Sequence, residues 1–139
     1  MQKYLAKRTL LLVGIVLLLH VMATLFYWYT SINNFDKIMH TIGGVFIAVL
    51  AAMFFWSHIE HLGWRDSAVA LLLIVLIIGL AWEYYEYIVQ YFIKDVHLAD
   101  INDSITDMMC DMLGGIIGTA FVLRAKKRYN TVHARIIDK

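Results

Sequence analysis

The 139-residue sequence has no proline and a single cysteine, and only 17% of its residues are charged. One cysteine cannot pair within the chain, which excludes a disulfide-stapled secreted module. The missing proline agrees with straight helices joined by short polar links. Sparse charge excludes intrinsic disorder, and a formal net charge of +1 leaves no whole-chain case for binding nucleic acid. There is no phosphate-binding glycine loop, serine nucleophile elbow, zinc-finger spacing or internal repeat.

What is present is apolar. Hydrophobic residues make up 61% of the chain and the mean hydropathy is +0.68, against about half apolar and a quarter charged in a soluble domain. A chain of this length is one domain, too small to hide so much apolar surface in a single core. Residues 1–139 therefore read as one all-α integral membrane domain. A membrane helix takes about 20 mostly apolar residues, and four runs qualify, roughly 9–30, 38–57, 67–92 and 104–124. The first two are interrupted only by His20 and His40, whereas the last two carry acids at one end. The first run is too long for a signal-peptide core and no clean cleavage site follows it, so it reads as a retained helix.

Basic residues set the expected orientation. With four spans, ten of the twelve Lys and Arg fall on one side, leaving only Lys37 and Lys94 on the other. This predicts a four-helix bundle in a bacterial inner membrane with both termini cytoplasmic. Aromatic residues suit the two interfaces, Tyr84, Tyr85, Tyr87 and Tyr91 outside and Trp56, Trp64 and Tyr129 inside. The basic run after the fourth helix reads as a topology signal, with contact to anionic headgroups the lesser reading.

The acids carry most of the information. Asp36 opens the second helix, Glu83 and Glu86 lie near the end of the third, and Asp103, Asp107 and Asp111 occupy the first turns of the fourth. All three places fall at the outer membrane boundary. Asp36 and His40 are spaced i, i+4, Glu83 and Glu86 i, i+3, and the three aspartates i, i+4, i+8, so each set shares a helix face. A turn deeper on those faces stand Gly43, Gly44, Gly79, Gly114, Gly115 and Gly118, residues that let membrane helices approach closely. The carboxylates are thus expected to converge. Close carboxylates repel and share protons, and burial at the edge of lipid makes each ionised group costlier. Bound protons or bound cations would neutralise them.

The expected centre holds one or two divalent ions (Mg, Mn, Zn or Ca) among Asp36, His40, Glu83, Glu86, Asp103, Asp107 and Asp111. Capping is an equal reading for Asp36 and Asp103, and an interfacial face for Glu83 and Glu86. Asp107 and Asp111 lie too far inside to cap. Elsewhere, His20 reads as a hydrogen-bonded core histidine and His58-x-x-His61 as a solvated loop. His97 reads as a loop residue near the site, and Cys110 as a packing residue.

The run Asp36-Lys37-x-x-His40, Trp82-Glu83-x-x-Glu86, Asp103-x-x-x-Asp107-x-x-x-Asp111-Met112 and Gly114-Gly115 resembles YjdF-like bacterial inner-membrane proteins. It is more loosely similar to VanZ-like proteins, one of which is associated with teicoplanin resistance. It departs from the VanZ-like pattern at Glu86, where that pattern has glutamine, and at Asp111, where it has asparagine. It also lacks an arginine before the last helix. The resemblance spans about residues 36 to 120 and implies a small multi-span membrane protein.

A metal held by carboxylates at headgroup depth suits a hydrolase or transferase acting on a lipid or isoprenoid phosphate. Glu86 would serve as general base beside Asp107, with Tyr84, Tyr87, Tyr91 and Lys37 orienting the headgroup. A metal-stapled scaffold or regulator and a cation or proton transporter are the other readings. The expected partners are the bilayer and a lipid phosphate, and a homodimer is open.

Overall fold

The computed structural model describes residues 1–93 and 101–137, and every regular element among them is a helix. In chain order these are α1 (Gln2–Leu25), α2 (Trp28–Ser31), α3 (Phe35–Phe54), α4 (Trp56–Ile59), α5 (Trp64–Ile93) and α6 (Ile101–Ile137). Within them Gln2–Leu25, Phe35–Phe54, Trp64–Val89 and Ile101–Val132 are long and apolar enough to cross a membrane. The all-α, four-span reading is borne out. His97 and Lys94 lie outside the described residues.

Helix ends depart from the hydropathy runs for local reasons. α1 begins at Gln2, seven residues before the apolar run, because Lys3, Lys7 and Arg8 are good helix formers. It stops at Leu25, and the chain turns through two left-handed residues, Tyr27 (φ 57°) and Asn34 (φ 59°), which bracket α2. The Tyr27 carbonyl accepts hydrogen bonds from Thr30 Oγ1 (3.0 Å) and Ser31 Oγ (2.9 Å), which hold that turn. α6 runs on past Leu123 to Ile137. Arg and Lys end the lipid-compatible stretch without ending the helix.

Small residues decide the packing. α3 is central, touching α1, α5 and α6. A Cβ on Gly44 would fall on the backbone carbonyl of Asp111, and one on Gly114 on that of Thr41. A Cβ on Gly118 would lie 2.8 Å from both Ala48 Cβ and the Val45 carbonyl oxygen. Glycine thus brings α3 and α6 into backbone contact, as the glycine-bearing faces predicted. α5 closes on the pair where Gly115 meets Val75 and Gly79 meets Asp111. α1 is the outlier, with only Leu5, Thr9 and Ala23 buried. Nothing lies within 4 Å of where a Gly14 Cβ would be, as expected of a helix whose other faces meet lipid.

The bundle end opposite the acids is closed by Lys126, which is 8% exposed. Its Nζ donates to the carbonyl oxygens of Ile59 (2.5 Å) and Leu62 (2.7 Å) and to Ser67 Oγ (3.1 Å). Lys126 therefore belongs to the fold, tying α6 to the α4–α5 link, and not to an open basic surface. It stands 19 residues beyond Asp107, about 28 Å along the helix, which matches a hydrocarbon core of about 30 Å. Hydrogen bonds involving a charged group are worth about 1.5–3 kcal/mol each, and buried groups left unpaired cost further. Lys126→Met is expected to destabilise the chain by about 2–3 kcal/mol, read by reversible unfolding in mixed micelles, with Lys126→Arg recovering part of the loss.

Candidate metal centre

The site starts from α3. Asp36 sits in its first turn and His40 follows one turn later on the same face, buried to 7% exposure. His40 Nε2 lies 4.0 Å from Asp36 Oδ2, and its other nitrogen, Nδ1, lies 3.3 Å from Asp111 Oδ1 on α6. That arrangement gives the two ring nitrogens different tasks. Nδ1 engages the buried Asp111 carboxylate, while Nε2 lies on the Asp36 side. A carboxylate against one imidazole nitrogen fixes the ring and its tautomer and leaves the other nitrogen available as a ligand.

Around His40 the structure assembles two overlapping groups, Asp36–His40–Asp107 and His40–Glu83–Glu86. In each group one potential ligand atom per residue lies within 4.8 Å of the others. Two ligands opposed across a cation with bonds of about 2.1–2.4 Å would be about 4.2–4.8 Å apart, so the spacing has the right scale. Asp107 is 3% exposed, and its Oδ1, like Glu83 Oε1, is a buried oxygen without a hydrogen-bond partner among the described residues. Buried polar atoms are ordinarily satisfied. Two bare carboxylate oxygens beside a shared imidazole make a donor set that fits a divalent cation.

The remaining acids grade outward. Side-chain exposure rises from 10% at Asp111 to 43% at Asp36 and 58% at Asp103. Asp103 and Asp111, both in the expected ligand set, belong to neither group. Asp111 engages His40, and Asp103 pairs with Lys37 Nζ at 3.1 Å. The same pair engages Lys37, which the sequence suggested for substrate. Asp36 and Asp103 both lie inside the first turns of their helices, where acids suit the helix dipole. The residue preceding α3 is Asn34, with no side-chain cap, so Asp36 does not cap it.

Glu86 is held by Trp82, whose Nε1 donates to its Oε1 at 3.0 Å. Sequence reasoning named Trp82 within the Trp82-Glu83-x-x-Glu86 run but gave it no task, although its i, i+4 spacing from Glu86 was visible. Tyr84 and Tyr87 stand on the exposed surface of α5, and Tyr87 stacks on Tyr91 with ring centroids 6.2 Å apart. Tyr29, in α2, was also missed. Partial burial, and then the Asp36 and Glu86 charges, push its phenol above the usual range, the mark of negative potential reaching this end of the bundle. Tyr29 shares a 2.9 Å hydrogen bond with His20 Nδ1. His20 is thus hydrogen-bonded, but exposed and not in the core, because α1 turns that face away from its neighbours. His58 and His61 are exposed, as expected of a solvated link.

Residues 4–128 match the family described as predicted membrane protein (DUF2238). The chain belongs to that family. The match covers most of all four spans and every acid of the cluster, so the centre lies within the DUF2238 region and not on an appended segment. No curated protein and no solved structure matches the chain.

Proposed function

We propose that this membrane protein holds one or two divalent cations between α3, α5 and α6 and uses them on a lipid or isoprenoid phosphate as a hydrolase or transferase. The observation that supports it best is the pair of ligand groups sharing His40, with buried, unpartnered oxygens on Asp107 and Glu83. Asp36, His40, Glu83 and Asp107 would hold metal, with Asp111 positioning His40 and Glu86 the one candidate ligand left off the metal for base work. Such an ion polarises a phosphoryl oxygen and eases deprotonation of water. Glu86, steered by Trp82, would take the proton of the attacking water and return it to the leaving group, an alcohol from a phosphomonoester or a monophosphate from a diphosphate, as its phosphorus–oxygen bond breaks. Exposed Tyr84 and Tyr87 border the lipid from which substrate would come.

The basic-residue count supports placing this site at the outer leaflet with both termini cytoplasmic. The run from Asp36 to Gly115 supports a place among YjdF-like inner-membrane proteins. A metal-stapled scaffold is the second reading, favoured by ligands drawn from three helices where they pack most closely. A transporter is disfavoured, since among the described residues no buried carboxylate or histidine lies between the site and Lys126.

The test is phosphate release from phosphatidic acid or an isoprenoid diphosphate by the purified chain with added Mg or Mn. Release is expected to stop with EDTA and in Asp107→Asn. It should also decline on acidification, because protons compete with metal for carboxylates and imidazole. Release indifferent to both EDTA and the variant would overturn the catalytic reading, and metal binding with no turnover would favour the scaffold.

A further inference from the structure

Opposite the acidic end, the first turn of α1 and the last apolar turn of α6 enclose a groove of about 390 Å³. Ligand sites run from about 300 to 1,000 Å³. It is lined by Met1, Tyr4, Phe121 and Tyr129 together with Arg124 and Arg128. We propose that this groove binds the headgroup of an anionic phospholipid from the surrounding leaflet. The inference is independent of the metal centre.

Three observations point to that occupant. Arg124 is the first charged residue after the apolar run Met112–Leu123, which places the groove mouth where hydrocarbon gives way to headgroups. Arg124 and Arg128 are one turn apart on the same face of α6, and among the described residues neither has an acidic partner within ion-pair distance. Their planar forks match the two oxygens of a phosphodiester. Beside them, the Tyr4 and Phe121 rings stack with centroids 6.3 Å apart, offering an apolar floor to the glycerol backbone and first acyl carbons. Arg8 lies over the Tyr4 ring at 5.2 Å and adds a third cation at the edge. A free anion would leave that aromatic floor unused, whereas a lipid fills both parts.

The experiment is native mass spectrometry of the full chain from micelles containing equal phosphatidylglycerol and phosphatidylcholine. The wild type is expected to retain one phosphatidylglycerol in clear preference. R124Q/R128Q should weaken that retention about thirty-fold, at roughly fivefold per cation near the membrane surface. K3Q/K7Q removes equal charge outside the groove and should change it by no more than about threefold. R124K/R128K keeps the charge and the topology signal but loses the forks, and is expected to fall between them; it decides the matter if the glutamine variant does not fold. Equal retention of the two lipids by the wild type, or equal losses in R124Q/R128Q and K3Q/K7Q, would overturn the proposal. So would displacement of the lipid by chain-free glycerophosphoglycerol.

Discussion

Gly44→Ala is expected to lower stability by about 3 kcal/mol, at the upper end of overpacking costs, although it adds one methyl group. The added carbon would fall on the carbonyl of Asp111 and lie 2.9 Å from the Gly115 nitrogen. Both are backbone atoms of α6, so no rotamer change relieves the clash and the helices must separate. Separation would also draw Asp111 away from His40, now 3.3 Å apart. Gly114→Ala should behave alike, against the Thr41 carbonyl. Gly14→Ala is the internal control. It meets nothing within 4 Å, so helix propensity alone acts and stability should stay level or rise by up to about 1 kcal/mol. Unfolding in mixed micelles or bicelles checks all three. Equal effects at Gly44 and Gly14 would mean that α3 and α6 do not pack this way.

His40→Ala is expected to reduce divalent-metal affinity by at least 100-fold, since the imidazole belongs to both ligand groups. Partners that orient a ligand typically cost 10–100-fold when lost, and a shared ligand should exceed that. The companion substitutions give the prediction its shape. Asp111→Asn should weaken binding by about 10–100-fold through misplacement of His40. Asp103→Asn should leave affinity within about twofold and stability unchanged, as for an exposed ion pair screened by water. Competition titration against a fluorescent chelator measures the order. If Asp103→Asn proved as damaging as His40→Ala, the ligand set would be the wider one that spacing alone suggested.

That contrast shows what could be read from the residues. The fold was legible because lipid imposes a simple rule of length and apolarity, and four runs met it. Facing was legible too, since i, i+4 spacing and adjacent glycines mark the side on which a helix packs; Gly44, Gly79 and Gly114 behave accordingly. Depth was harder to read. Asp103, Asp107 and Asp111 share a stripe, yet two helical turns separate an exposed rim residue from a buried floor residue, and only the deeper two meet His40's helix face. Long-range partners were not legible at all. Nothing in the sequence joins Lys126 to Ile59 and Ser67, or Lys37 to Asp103, because those pairings depend on how helices far apart in the chain are set against each other. Helix ends were not legible for the same reason that hydropathy succeeded: it reports lipid compatibility, so α6 outlasts its run while α1 stops at Leu25 within its own.

Elemental analysis of the chain purified from membranes without chelator tests the central claim most directly. At least one divalent ion per chain is expected in the wild type, with the content falling to background in His40→Ala and Asp107→Ala while helicity is retained. Metal-free wild-type protein that stays folded and takes up no divalent ion on addition would contradict the account.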